Sequence, residues 1–236
     1  MRTGTVALTE RYEKLSDLPS RLPLFPLRGA ILLPRATLPL NIFEPRYLTM
    51  IDEAISGARL IGIIQPSGRS DDSDEPQDSP PGKGFGLRRV GCAGRITSFQ
   101  ELDDGRFIIT LTGIVRFDLV EETPTPKPYK IASVGYDRFL NDLAQGLGED
   151  EVDRPKLLRV LKAYLESNRL KADWNAVLRA SNEFLINVLS VMSPYGAEEK
   201  QALLEAADLK TRAEVLVALA EMELASSGGE GGGTLQ

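Results

Sequence analysis

The hydrophobic period of this chain changes beyond its midpoint. From Leu22 to about Tyr136, apolar residues come in short alternating or continuous runs broken by frequent Gly and Pro. After about Val152 they recur at three- and four-residue spacing, and both breakers become rare. Alternation sends side chains to opposite faces of a strand, whereas spacing by three and four builds a stripe along a helix. Strands first and helices afterward predict an α+β chain, with a β-rich part over 22–140 and a helical bundle over 150–225. An extension, 1–21, precedes the first strand. At 236 residues the chain is long enough to bury a core without covalent staples.

The clearest strand signal runs from Arg95 to Leu111, where Asp104-Gly105 separates two alternating runs and supplies the positive φ angles of a tight hairpin turn. Further strands are expected at Leu22–Leu27, Leu38–Ile42, Arg59–Gln65, Val115–Glu121 and Tyr129–Tyr136. Pro124, Pro126 and Pro128 mark an extended edge segment between the last two. That number of strands can curl into a small barrel or a pair of bent sheets. One helix interrupts them. Pro45 suits its first position, Gly57 its end, and Tyr47, Leu48, Ile51 and Ile55 share a face.

The helical part predicts a first helix over Glu151–Ser167, with Leu157, Leu158, Leu161, Tyr164 and Leu165 inward. A second is expected to start after Asp173 and to carry the stripe Trp174, Val177, Leu178, Phe184, Leu185, Val188, Leu189 and Met192. So wide a stripe predicts that this helix is the centre of the bundle. A third helix covers Ala197–Ala206, and a fourth runs from Asp208 to near Leu224. The segment 66–84 has almost nothing apolar to bury and reads as a mobile acidic loop; the Gly-rich tail, 226–236, reads as disordered.

Residue inventory excludes most chemistry. There is no histidine, which removes Ser-His-Asp and Cys-His nucleophiles and His-ligated metals. The single cysteine, Cys92, permits neither an intrachain disulfide nor a Cys-rich zinc site and is expected to be a buried thiol. No phosphate loop, Gly-x-Ser-x-Gly elbow or Ser-x-x-Lys pair is present. Asp71-Asp72-Ser73-Asp74-Glu75 lacks the glycine turn and distant bidentate Glu of a calcium loop. Asp103-Asp104 and Glu121-Glu122 are adjacent in sequence, so strand geometry points them apart. No catalytic, cofactor-binding or metal-binding residues are expected, and no cofactor.

The net charge of −6 is unevenly spread: residues 1–140 hold 18 Lys/Arg and 18 Asp/Glu, and residues 141–236 hold 10 and 16. A phosphate-binding surface needs a basic stripe, and the small group Lys83, Arg88, Arg89 and Arg95 reads as a solvated strand end. Met1–Ser20 has no apolar core of a signal peptide. The longest purely apolar stretch, Val215–Ala220, is far below the ~20 residues that span a bilayer. A cytoplasmic location without membrane contact is therefore expected.

Several blocks together resemble the N-terminal substrate-binding domain of the Lon protease family. They are Leu22-Pro-Leu-Phe-Pro-Leu-Arg-Gly-Ala-Ile-Leu-Leu-Pro, Leu38-Pro-Leu-Asn-Ile-Phe-Glu-Pro-Arg-Tyr, Gly91-Cys-Ala-Gly-Arg-Ile, Asp104-Gly-Arg, Gly113-Ile-Val-Arg-Phe, and Glu199-Lys-Gln-Ala-Leu-Leu-Glu with Arg212. The resemblance runs from about Leu22 to Leu224. It implies a PUA-like β pseudo-barrel followed by a helical bundle, and capture of protein substrates. It also implies a stand-alone member, since the ATPase and Ser-Lys peptidase modules of full Lon proteases have no counterpart here.

The expected function is thus a non-catalytic module that binds unfolded or exposed apolar protein segments, as an adaptor or regulator of proteolysis or quality control. Phe25, Leu32, Leu33 and Pro34 are the candidate exposed patch, because proline interrupts strand pairing and an unpaired edge can accept an extended peptide. Glu44, Arg46 and Tyr47 are read as a structural motif that fixes the first helix against the barrel. The rival readings are an RNA-binding or small-ligand-binding module, by analogy with PUA-like barrels or through a pocket at the barrel mouth. The acidic balance argues against RNA.

Overall fold

The computed structural model describes residues 12–68, 86–168 and 171–229. The chain forms two compact units, Met1–Gln145 and Gly146–Gln236. The first contains β1 (Arg21–Pro26), β2 (Thr37–Ile42), α1 (Pro45–Ser56), β3 (Leu60–Pro66), β4 (Leu87–Glu101), β5 (Phe107–Thr123) and β6 (Lys130–Gly135). The second contains α2 (Arg154–Ser167), α3 (Trp174–Arg179), α4 (Asn182–Met192), α5 (Ala197–Glu205) and α6 (Leu209–Gly229).

The β unit is organised by its two longest strands. The expected strand after Gly105 and the expected strand Val115–Glu121 are one continuous β5, which pairs along its length with β4. Its other side has two successive partners: Phe107–Thr112 pairs with β2, and Asp118–Thr123 pairs with β6. Because the sheet order continues β4-β3-β1-β6, β6 returns to β5 and five strands close a pseudo-barrel. The first half of β5, the second half of β4, and β2 leave this ring as a three-stranded ribbon. Register shifts at Ala93/Gly94 and Ile96/Ser98 bend β4 where ring becomes ribbon. Leu22, Leu24, Ile61, Ile63, Val115 and Phe117 are fully or almost fully buried.

The hairpin at Asp104-Gly105 is present, with a different turn. The Gly105 N–H donates to the Leu102 carbonyl, and only Gly105, at φ 83°, is left-handed. That is a type I turn closed by a glycine bulge, a three-residue loop, in which Asp104 needs no positive φ. Pro124, Pro126 and Pro128 lie in the loop between β5 and β6 rather than in an extended strand. Helix α1 starts at Pro45 and is followed by Gly57, and it buries Tyr47, Met50, Ile51 and Ala54.

In the helical unit, the expected helix after Asp173 is two helices. Ala180 and Ser181 are extended, and the Ser181 hydroxyl accepts from the Phe184 N–H, capping α4. The break rotates the stripe. Leu185, Ile186 and Val191 are buried, whereas Leu178, Phe184 and Met192 are exposed. The hub is α6, which packs against α2, α4 and α5, so the centre of the bundle is not the 174–192 segment. Helix α6 runs on to Gly229, through the first residues of the expected disordered tail; 230–236 and most of the expected acidic loop lie outside the described residues. Among the described residues, no helix is long and apolar enough to cross a membrane.

Candidate protein-binding surface

The four residues expected to form an exposed patch are interior. Phe25 is buried in β1 with its ring edge-on to Tyr47, 4.3 Å between centroids. Leu32 and Leu33 are fully buried, and Pro34 is buried beside them. Glycine placement explains this. A Cβ on Gly113 would stand 2.0 Å from the Leu33 carbonyl oxygen, and one on Gly94 would stand 2.5 Å from the Leu32 side chain. Bare backbone on β4 and β5 therefore lets residues 31–34 press against the sheet. The Arg35 N–H donates to the Gly113 carbonyl at 2.8 Å, and the Gly113 N–H donates to the Ala36 carbonyl at 2.9 Å. Nor is β1 an open edge, since β3 lies on one side and β6 on the other.

The Glu44, Arg46 and Tyr47 side chains form a short chain of contacts from surface to core. Glu44 precedes α1 without a side-chain cap and accepts from Arg46 Nε at 2.9 Å. The Arg46 guanidinium lies 4.7 Å from the centroid of the Tyr47 ring, and Tyr47 packs on Phe25. Exposed ion pairs of this kind contribute about 0–1 kcal/mol, so the buried Tyr47 ring is the principal anchor of α1 here.

The residue just before this motif behaves oppositely. Phe43 is 63% exposed, and in the same unit Phe99 is 41% and Ile108 38% exposed. Strand register brings these three to one end of the sheet, though not to one face. Ile42 pairs with Phe107, Asn41 with Ile108, and Phe99 with Ile109, so all lie at the free end of the β2–β5–β4 ribbon. The Phe99 ring meets Phe107 at 5.0 Å on one face, and Ile108, one residue on, takes the opposite face. The turn that ends the ribbon is charged but internally paired: Arg106 Nε donates to Asp104 at 2.8 Å and holds that carboxyl below its usual range. Among the described residues, strand β2 is hydrogen-bonded to β5 alone, which makes it the open edge that β1 is not. Pro39 within β2 lacks an N–H, which limits indiscriminate pairing along that edge.

Sequence reasoning passed over Phe99 and Ile108. A usable signal existed for Phe99, the only apolar residue in Thr97–Glu101, where a strand has left the core. None existed for Ile108, embedded in Phe107-Ile108-Ile109. The other singled-out groups are otherwise engaged. Cys92 is fully buried, with its Sγ 3.6 Å from the Ala93 carbonyl oxygen. Arg89 pairs with Asp118 at 3.3 Å, and Arg95 donates to the Tyr12 hydroxyl and the Ala58 carbonyl, each at 3.0 Å. Lys83 lies outside the described residues.

Residues 21–221 match the family described as the ATP-dependent protease La (LON) substrate-binding domain. The Lon protease of Flavobacterium johnsoniae is 26% identical over 203 residues, covering 84% of this chain and 23% of the relative. That of Parabacteroides distasonis is 28% identical over 216 residues, covering 87% and 24%. The chain thus spans about a quarter of the length of these curated relatives. Among solved structures, a Lon N-terminal domain protein from Xanthomonas campestris has a TM-score of 0.56 at 22% identity, covering 85% of this chain and 98% of the other. The N-terminal domain of a Mycobacterium avium complex Lon protease has a TM-score of 0.57 at 17% identity with the same coverages. These two share the fold described above, a PUA-like pseudo-barrel followed by helices. The chain belongs to the LON substrate-binding domain family.

Proposed function

We propose that this chain captures unfolded or exposed apolar segments of other proteins at the free end of the β2–β5–β4 ribbon, as a non-catalytic adaptor or regulator of proteolysis or quality control in the cytoplasm. The observation that carries the reading is the exposure of Phe43, Phe99 and Ile108 beside the one-sided strand β2, in a member of a substrate-binding family. Apolar side chains supply grip that tolerates varied sequences, and a strand edge supplies main-chain hydrogen bonds that any extended segment can satisfy. ATP hydrolysis and peptide cleavage by the full-length relatives are not carried over.

The test is a fluorescence-anisotropy titration of labelled reduced, carboxymethylated lysozyme. Saturable binding with a Kd on the order of tens of micromolar is expected, weakened about tenfold by the double variant Phe43→Ser/Phe99→Ser. Absence of saturable binding, or binding the double variant leaves unchanged, overturns the reading.

A further inference from the structure

The β unit holds an open cleft of about 900 Å³, bounded by Tyr12, residues 16–19, the end of α1, the start of β3 and Arg95 of β4. Its apolar lining comes from Leu18, Ile55 and Leu60, and its charged members are Arg59, Arg95 and Asp17.

Backbone geometry singles out Arg59. Among the described residues, the non-glycine residues with a left-handed backbone are Arg35 and Arg59, at φ 63° and 60°. A Cβ strains that conformation, and glycine usually supplies it. At Arg35 a bond offsets the strain, since the guanidinium donates to the Asp142 carbonyl at 2.6 Å. Arg59 has no such offset: its side chain is exposed and makes no ion pair or hydrogen bond with the described residues. Its N–H donates to the Ala54 carbonyl at 2.9 Å and closes the end of α1, a task that glycine performs equally well. Strain kept for a side chain with no structural partner is a pointer to function.

Arg95 stands beside it. Leu60 pairs with Arg95 across β3 and β4, and the Ile96 N–H donates to the Arg59 carbonyl at 2.8 Å. The Arg95 guanidinium is held through Nη1, which donates to the Tyr12 hydroxyl and the Ala58 carbonyl, each at 3.0 Å. Among the described residues its Nε and Nη2 have no partner. Asp17 Oδ2 accepts from the Glu13 and Lys14 N–H groups at 3.1 and 3.0 Å and pairs with neither arginine. Two guanidiniums and one carboxylate leave the lining with one unbalanced positive charge. That balance suits a monoanion better than a dianion.

We propose that this cleft binds a small carboxylic acid with a compact apolar body. The carboxylate meets Arg59 and Arg95, whose planar forks match its geometry, and the body lies against Leu18, Ile55 and Leu60. The site is independent of capture at the ribbon end, which uses other residues.

The probes are N-acetyl-leucine, N-acetyl-leucinamide, inorganic phosphate and the tripeptide acetyl-Ala-Ala-Leu, titrated into the full chain and followed by amide chemical shifts. The acid is expected to saturate with a Kd of about 0.1–1 mM, with shifts centred on residues 12–18, 55–60 and 95. The amide is expected to bind at least about tenfold more weakly, and phosphate at least about fivefold. The same carboxylate ends a peptide, so the tripeptide tests the source: it is expected within about twofold of the acid, and binding more than about fivefold tighter would overturn a free acid as the ligand. Arg59→Gly removes the guanidinium and the backbone strain together. It is expected to weaken the acid about tenfold while leaving the melting temperature unchanged or higher. The proposal is overturned if the acid does not saturate, if the amide or phosphate matches it, or if Arg59→Gly binds it unchanged. A melting temperature lowered by Arg59→Gly would also overturn it, because the side chain would then be structural.

Discussion

The two units bury charge in different ways. In the β unit, Arg116 of β5 and Asp142 of the 137–143 turn are both nearly inaccessible and meet as a bidentate pair, at 2.9 Å through Nε and 2.8 Å through the second guanidinium nitrogen. The Arg116 backbone N–H donates to the same carboxylate at 2.9 Å, and the Phe139 ring lies 4.6 Å from the guanidinium. In the helical unit, buried cations meet main-chain oxygens instead. Lys200 Nζ donates to the Ser190 and Val191 carbonyls at 2.8 and 2.6 Å, and Arg212 Nε donates to the Leu203 carbonyl at 3.0 Å. Those carbonyls are the unsatisfied last groups of α4 and α5, where a partial negative charge accumulates. Full opposite charges thus fasten a connecting turn to a strand, whereas single cations finish helices. The first arrangement fails abruptly when one partner is lost; the second loses hydrogen bonds but strands no opposite charge.

Asp142→Ala is the strongest challenge to that contrast. It leaves Arg116 buried beside no carboxylate and is expected to destabilise the β unit by about 3–5 kcal/mol in chemical denaturation. The apolar double replacement Arg116→Met/Asp142→Leu is expected to recover most of the loss. Equal effects for Asp142→Ala and Lys200→Met would erase the distinction between the units.

Within the helical unit, Leu185 and Phe184 are chain neighbours with opposite fates, one buried and the other 55% exposed. Leu185→Asp is expected to destabilise by more than about 3 kcal/mol, and Phe184→Asp by no more than about 0.5 kcal/mol. Matching losses would mean that α4 is covered on both sides. In the β unit, Gly113→Ala brings a methyl against the Leu33 carbonyl and is expected to lose about 1–3 kcal/mol. An unchanged melting temperature would show that residues 31–34 do not press on the sheet.

The smallest effect concerns pH. Burial lowers Lys200 from its ordinary 10.5 to about 8. Between those values the unfolded chain binds more protons than the folded one, so this group's contribution to stability rises with pH from about 8 to 10.5. Because tyrosines begin to ionise near 10, the quantity to compare is the difference between wild type and Lys200→Met over pH 8–10. That difference is expected to shift steadily in favour of wild type as pH rises. A flat difference would place the lysine in water.

Local rules made some of this legible and tertiary contacts hid the rest. The ends of α1 were readable because Pro45 and Gly57 act through their own backbone restrictions. The hairpin at Asp104-Gly105 was readable, but its turn class was not, because Asp-Gly fits both a two-residue turn and a type I turn with a glycine bulge. The break between α3 and α4 left a trace in Ser181, a favoured N-cap residue outweighed by the apolar stripe that spans it. The candidate surface was the hardest part. Residues 31–34 look exposed because of Pro34, and they are buried because Gly94 and Gly113, some sixty to eighty residues away in sequence, vacate the space they fill. Phe43 directly precedes the helix-anchoring motif, and only strand register puts it at the same end of the ribbon as Phe99 and Ile108.

Amide hydrogen exchange of the full chain, with and without saturating reduced, carboxymethylated lysozyme, most directly tests capture at the ribbon end. The account predicts slowed exchange across residues 37–43 and 99–108, with the rest of the barrel unchanged. Slowed exchange confined to the helical unit, or none in either unit at saturation, would contradict it.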